Sequence, residues 1–207
     1  MTADRPCAGP DRVNPAHADD PRSPQSLSQA GRAAHDLGLA GLLGGVLFGR
    51  MALHPAVAAI SDPRERGEVV NAAWRRYGTV NSLSLAAVVA GWAGARAAEA
   101  ADRNLTPAER RLARVKDGLV GALVVSGVAS AVEGVRFART APGGAVPLAD
   151  GAHASAETPD AAARLKRRLN TLGAVTMAAE VGLVAVNAAL AQEGFRRPKV
   201  SRRVRLR

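Results

Sequence analysis

The sequence predicts an all-α protein, a bundle of four transmembrane helices between a disordered N-terminal tail and a basic C-terminal tail. Its charged residues fall in clusters that separate four apolar stretches, a block pattern that a water-soluble core does not need. Ala, Gly, Val and Leu fill those stretches while aromatic residues make up 3% of the chain, which suits helices packing closely in lipid. Tyr77 to Ala95 runs for nineteen residues without a formal charge, about 28 Å as a helix, enough to cross a hydrocarbon core.

Residues 1–32 carry four arginines and five prolines and too little apolar surface to offset the entropy of ordering. They read as a disordered cytoplasmic tail without a run of signal-peptide length, which leaves the first apolar segment as the expected insertion signal. The membrane domain is expected over residues 33–192, with helices at about 35–60, 77–95, 117–136 and 169–192. Asp62 and Pro63 mark a helix start for a short interfacial helix ending near Arg76, and Thr106 and Pro107 mark another on the charged surface segment 96–117. Thr140 to Thr158, rich in Gly, Pro and Ala, reads as a flexible loop. Residues 193–207 form a basic cytoplasmic tail.

Lys and Arg number seventeen in the N-terminal tail, the 96–117 segment and the C-terminal tail, against ten in the other two connections. This bias predicts a multi-pass protein of the bacterial cytoplasmic (inner) membrane with both termini in the cytoplasm. In the C-terminal tail, Arg196, Arg197, Lys199, Arg202 and Arg203 fit anionic lipid at the cytoplasmic face better than nucleic acid, and no nucleic-acid partner is expected. Trp74, Tyr77 and Trp92 bracket the second span and read as headgroup anchors.

Gly41, Gly45 and Gly49 recur at four-residue spacing, with Gly38 and Gly44 on adjoining rows. One side of the first helix therefore admits a neighbouring backbone, either within the chain or in a homo-oligomer. Arg50 is the sharpest feature, because a guanidinium inside a span needs a partner or water. The predicted topology puts Glu133 and Glu180 within its reach. The three form either a polar site or a structural ion pair. His35 and His54 lie nineteen positions apart, about 28 Å along one helix, so they are weak metal candidates and no metal or cofactor is expected. No nucleophile, base and orienting group can be placed together and no phosphate loop is present, so the expected role is structural or interactive and not enzymatic. The alternative is a transporter of a small substrate or metal ion, or a membrane enzyme, built on Arg50 with Glu133 or Glu180.

The stretch Ala34-His35-Asp36-Leu37-Gly38-Leu39-Ala40 through Phe48-Gly49-Arg50, then Leu53-His54-Pro55-Ala56, Asp62-Pro63-Arg64-Glu65-Arg66 and Trp74-Arg75-Arg76-Tyr77-Gly78, resembles a group of uncharacterised four-helix membrane proteins of high-GC bacteria. A starting His, a Gly-Gly pair and a Pro after the first helix more distantly resemble the copper-resistance D family. The first resemblance implies architecture; the second implies metal handling, although the chain has neither Met-rich runs nor paired histidines. Neither resemblance assigns a role to any residue.

Overall fold

The computed structural model describes residues 24–97, 100 and 104–196, with side chains placed from 29 to 195. The described residues form four long helices. Helix α1, Pro24–Phe48, continues through a π turn, Gly49–Leu53, and a short α turn, His54–Ala56, to a 3₁₀ turn, Val57–Ala59. Helices α2, Pro63–Ala97, α3, Pro107–Ala138, and α4, Asp160–Arg196, follow. Antiparallel α1 and α2 pack along their lengths, as do α3 and α4, and α1 against α4 joins the two pairs.

Each helix is longer than the apolar stretch that announces it. Residues 24–32, expected within the disordered tail, are helical; the rest of that tail, with Cys7 and His17, lies outside the described residues. The expected surface helices at 63–76 and 107–116 are the first turns of α2 and α3: neither junction holds a proline, and the helices run on through the glycines there, Gly78 and Gly118. Thr106 does cap α3: its hydroxyl accepts from the Glu109 N–H at 3.3 Å while the Glu109 carboxylate accepts from the Thr106 N–H at 2.8 Å.

Three helical stretches are long and apolar enough to cross a membrane: Gln29–Ala59, Pro107–Ala138 and Asp160–Phe195. Helix α2, which holds the longest uncharged run in the sequence, falls short of that apolarity, since Asn81, Ser82 and Ser84 dilute the run. The expectation of four spans is thus borne out in part: the described residues hold four long helices, and three of them have the required apolarity.

The α1–α2 seam rests on the glycine row. A Cβ at Gly38 would meet the Ser84 carbonyl at 2.5 Å, one at Gly41 the Ser84 hydroxyl at 2.5 Å, one at Gly45 the Tyr77 ring, and one at Gly49 the Trp74 ring at 2.6 Å. The glycines therefore serve packing within the chain. Trp74 and Tyr77, expected at headgroup depth, lie against this row, with the Tyr77 hydroxyl donating to the Gly41 carbonyl. A central cluster of Leu39, Leu42, Val88, Val120, Leu123, Ala179 and Leu183 fills the space between all four helices.

The segment 139–159 is a folded cap, contrary to the flexible loop expected. Val146 and Leu148 are buried with Val57, Val70, Phe137 and Ala162 in a second apolar cluster. The Leu148 N–H donates to the Pro63 carbonyl at 2.9 Å, and that of Gly151 to the His54 carbonyl at 3.0 Å. Asn71 Nδ2 donates to the Gly144 carbonyl at 2.6 Å, and Arg66 to Ile60 and Ala149 at 2.6 and 2.7 Å. Gly143 and Gly144, at φ of 66° and 81°, make the turn that an L side chain would strain.

Replacing Gly45 by Leu drives a side chain into the Tyr77 ring. The expected result is a loss of about 1–3 kcal/mol of stability with no change in oligomer size. Thermal unfolding and light scattering in detergent test this together; an unchanged melting temperature would show that the α1–α2 seam is not where the glycine row packs.

Candidate functional site

The candidate polar site begins at the π turn. Pro55 has no N–H to donate to the Met51 carbonyl, and just before it the His54 N–H donates to Gly49, five residues back, instead of Arg50. Arg50 lies within this turn and its Nη2 donates to the backbone carbonyl of Asn170 on α4 at 3.3 Å. Gly173, one turn along, has no side chain to obstruct the guanidinium, since a Cβ there would stand 3.3 Å from Nη2.

The expected pairing of Arg50 with Glu133 or Glu180 does not form. Glu133 is engaged on its own helix, its Oε1 accepting from Arg136 Nη1 at 3.1 Å. Glu180 lies seven residues beyond Gly173 on α4, about 10 Å along the axis, while Arg50 is turned toward Asn170.

Glu180 is the most unusual side chain of the bundle. It is 0% exposed beside Ala179 and Leu183 of the central cluster, and neither carboxyl oxygen has a hydrogen-bond partner. One turn before it, the Thr176 hydroxyl donates to the Ser126 hydroxyl of α3 at 2.9 Å. Two turns after it, Asn187 Nδ2 donates to Asp36 Oδ1 on α1 at 3.2 Å. Polar side chains thus recur along the inner side of α4 at Asn170, Thr176, Glu180 and Asn187. Arg50 meets this series at one end, Asp36 meets it at the other, and Glu180 in the middle is left without a bond.

The histidines sit apart. His35 is buried and its Nδ1 bonds the Val88 carbonyl at 2.8 Å, which requires the proton on Nδ1 and leaves Nε2 enclosed without a partner. His54 lies edge-on to Trp74 with ring centroids 6.1 Å apart. Among the described residues, no group of three or more His, Cys, Asp and Glu side chains comes together as a metal site. Trp92, the third expected headgroup anchor, donates from Nε1 to Asp117 Oδ1 at 2.8 Å, and Arg96 pairs with the other oxygen at 3.1 Å, so these two residues tie α2 to α3.

Sequence reasoning misses the polar residues that hold the cap. Lys166 is buried, donates to the Gly151 carbonyl and lies 5.7 Å from the Phe137 ring centroid. Asn170, which accepts Arg50 through its backbone, donates through its side chain to the Ala152 carbonyl at 2.7 Å and so joins the Arg50 contact to the cap. Within the cap, burial opposes ionisation of Asp150, but bonds from the His153 ring and from the N–H groups of Ala152 and His153 outweigh it and hold the carboxyl below its ordinary range. The apolar run Val146-Pro147-Leu148 is the signal that this segment has a core of its own.

The tail cluster Arg197, Lys199, Arg202 and Arg203 lies outside the described residues, and Arg196 is the last residue of α4. No family model, curated protein or solved structure matches the chain.

Exchanging the charges, Arg50→Glu with Glu180→Arg, is expected not to rescue either single change, because the two side chains have no contact to restore. A double-mutant cycle on thermal stability checks this. A coupling above about 0.5 kcal/mol would place the two in one pair.

Proposed function

We propose that the chain is a multi-pass protein of a bacterial cytoplasmic membrane in which α2 crosses alongside the three more apolar helices, so that both termini lie in the cytoplasm, and that its role is structural or interactive. The observation that carries this is how little of the apolar stretches the fold buries: 28%, 17% and 28% of the most apolar windows of the three candidate spans. Leu37, Met51 and Val125 are 73%, 76% and 71% exposed, and Phe48 and Leu83 are similarly open. Apolar surface on this scale, spread around the bundle, matches a hydrocarbon solvent and is a liability in water. The reading agrees with the resemblance of residues 34–95 to four-helix membrane proteins of high-GC bacteria. It takes no metal chemistry from the copper-resistance D resemblance, because His35 is packed against Val88 and Gly91 near one end of the bundle and His54 against Trp74 and Gly151 at the other.

Membrane fractionation of the full chain followed by an alkaline carbonate wash tests this. Retention in the pellet is expected; release into the supernatant would overturn the membrane reading and point to a basic, water-soluble protein instead.

One observation favours a second reading, in which the bundle carries a protonatable site at Glu180. An isolated carboxylate in an apolar interior is strongly disfavoured relative to the neutral acid, and intramembrane acids are functional candidates for that reason. Thr176, Ser126, Asn187 and Asp36 extend polar character on either side of it, as a path for protons or a small cation requires. A membrane-permeant carbodiimide reacts with a neutral carboxyl in such a setting, forming an O-acylisourea that rearranges to a stable N-acylurea. Modification at Glu180, absent in Glu180→Gln and absent with a water-soluble carbodiimide, is the expected mass-spectrometric result. An unmodified Glu180 in the wild-type chain would remove this reading.

A further inference from the structure

A groove of about 580 Å³ runs between α3 and α4 at the cap end of the bundle. Glu133, Arg164, Arg167, Arg168, Thr171 and Leu172 line it. The three arginines are exposed and lie on adjacent rows of α4, so all three border one opening. Glu133 does not neutralise them: its Oε1 is engaged by Arg136 at 3.1 Å, and its Oε2 is enclosed without a hydrogen-bond partner. The groove is therefore cationic, of a size that takes a small organic anion or a headgroup.

Its position chooses between those two. Below Glu133 on the same face of α3 come Ala129, also in the groove wall, and then Val125, which is 71% exposed. Below Thr171 on α4 comes Val175, 46% exposed. Both rows run from the charged opening away from the cap, along helices apolar enough to cross a membrane. A ligand that meets the arginines with a phosphate and lies along this seam with hydrocarbon uses both parts of the surface, and a free anion uses only the first.

We propose that this groove binds one anionic phospholipid, its headgroup phosphate held by Arg164, Arg167 and Arg168 and an acyl chain lying along the α3–α4 seam past Ala129, Val125 and Val175. Planar guanidinium donors match phosphate oxygens, and they act more strongly near the low-dielectric boundary than in open water. The site is separate from the C-terminal basic tail, and the inference rests on the membrane reading above.

The test is native mass spectrometry of the full chain released from nanodiscs containing equal phosphatidylglycerol and phosphatidylcholine. Wild-type protein should retain one phosphatidylglycerol in preference to phosphatidylcholine. Arg164→Gln, Arg167→Gln and Arg168→Gln together should reduce that retention by about a hundredfold, as expected for three cations near a membrane surface. Ala129→Phe, which fills the groove wall and keeps every charge, should also reduce it. Arg75→Gln with Arg76→Gln, two exposed arginines of α2 outside the groove, should leave it unchanged. Equal retention of both lipids by the wild type, or equal loss in the α2 variant, would overturn the proposal and leave general attraction to anionic surfaces. Displacement of the lipid by millimolar inorganic phosphate would overturn the lipid in favour of a free anion. A carbonate wash of membranes from the same expression separates the two failures: retention in the pellet without lipid preference defeats only this inference, whereas release defeats the membrane reading beneath it.

Discussion

The closeness with which α2 approaches α1 determines much of what the rest of the bundle can do. In lipid, apolar burial gives two helices little reason to associate, so contact must come from packing and hydrogen bonds. The row Gly38, Gly41, Gly45 and Gly49 supplies both. It removes the side chains that would hold the backbones apart, and it exposes the Gly41 carbonyl to the Tyr77 hydroxyl. Gly91 does the same from the other helix, where a Cβ would meet the Gly31 carbonyl and His35. With α2 set this close, the His35 ring reaches the Val88 carbonyl, and Leu39 and Leu42 turn toward Leu183 and Ala179 of α4.

That arrangement also explains why Arg50 and Glu180 do not meet. The π turn before Pro55 places Arg50 level with Asn170 and Gly173, where a bare stretch of α4 backbone accepts it. Glu180 lies deeper, at the level where α1 contributes leucine, so no cation from α1 faces it. A backbone carbonyl engages the guanidinium at Asn170, away from the carboxyl. The ion pair that the charges suggest gives way to two separate solutions, hydrogen bonding for the base and enclosure for the acid.

The existence of the four helices is legible in the sequence because uncharged runs of this length have few other uses. Their ends are not, because Arg75, Arg76, Arg110, Arg111 and Arg114 lie on helix surfaces without interrupting the backbone, and a change from apolar to charged marks a change of solvent, not of conformation. Arg50 is legible as an anomaly. Its partner is hidden because a carbonyl oxygen belongs to every residue and has no sequence signature. The aromatics Trp74 and Tyr77 are read as headgroup anchors when α2 is considered alone; their role depends on the glycines of α1, which only the pairing of the helices brings opposite them. The cap is hidden by its composition, since Gly, Pro and Ala dominate it and the few residues that give it a core, Val146 and Leu148 above all, are outnumbered.

Helix length then connects the two ends of the molecule. The 37 residues of α4 extend about 55 Å, against about 30 Å of hydrocarbon, so a helix of this length is longer than a membrane crossing needs. At the cap end, that excess is organised by different physics. There the Val57, Val70, Phe137, Val146, Leu148 and Ala162 cluster buries apolar surface as a small water-soluble domain does, and Arg66, Asn71, Lys166 and Asn170 hold the chain by bonds to backbone carbonyls. The central cluster below it relies on close approach. Between the two, Arg164, Arg167 and Arg168 lie exposed on α4 beside the cap, and Val125 and Val175 are exposed along the seam beneath. A side chain with an apolar stem and a charged head suits a membrane boundary, and on the lipid site proposed above the three on adjacent rows of α4 would set the sign of the headgroup that it favours.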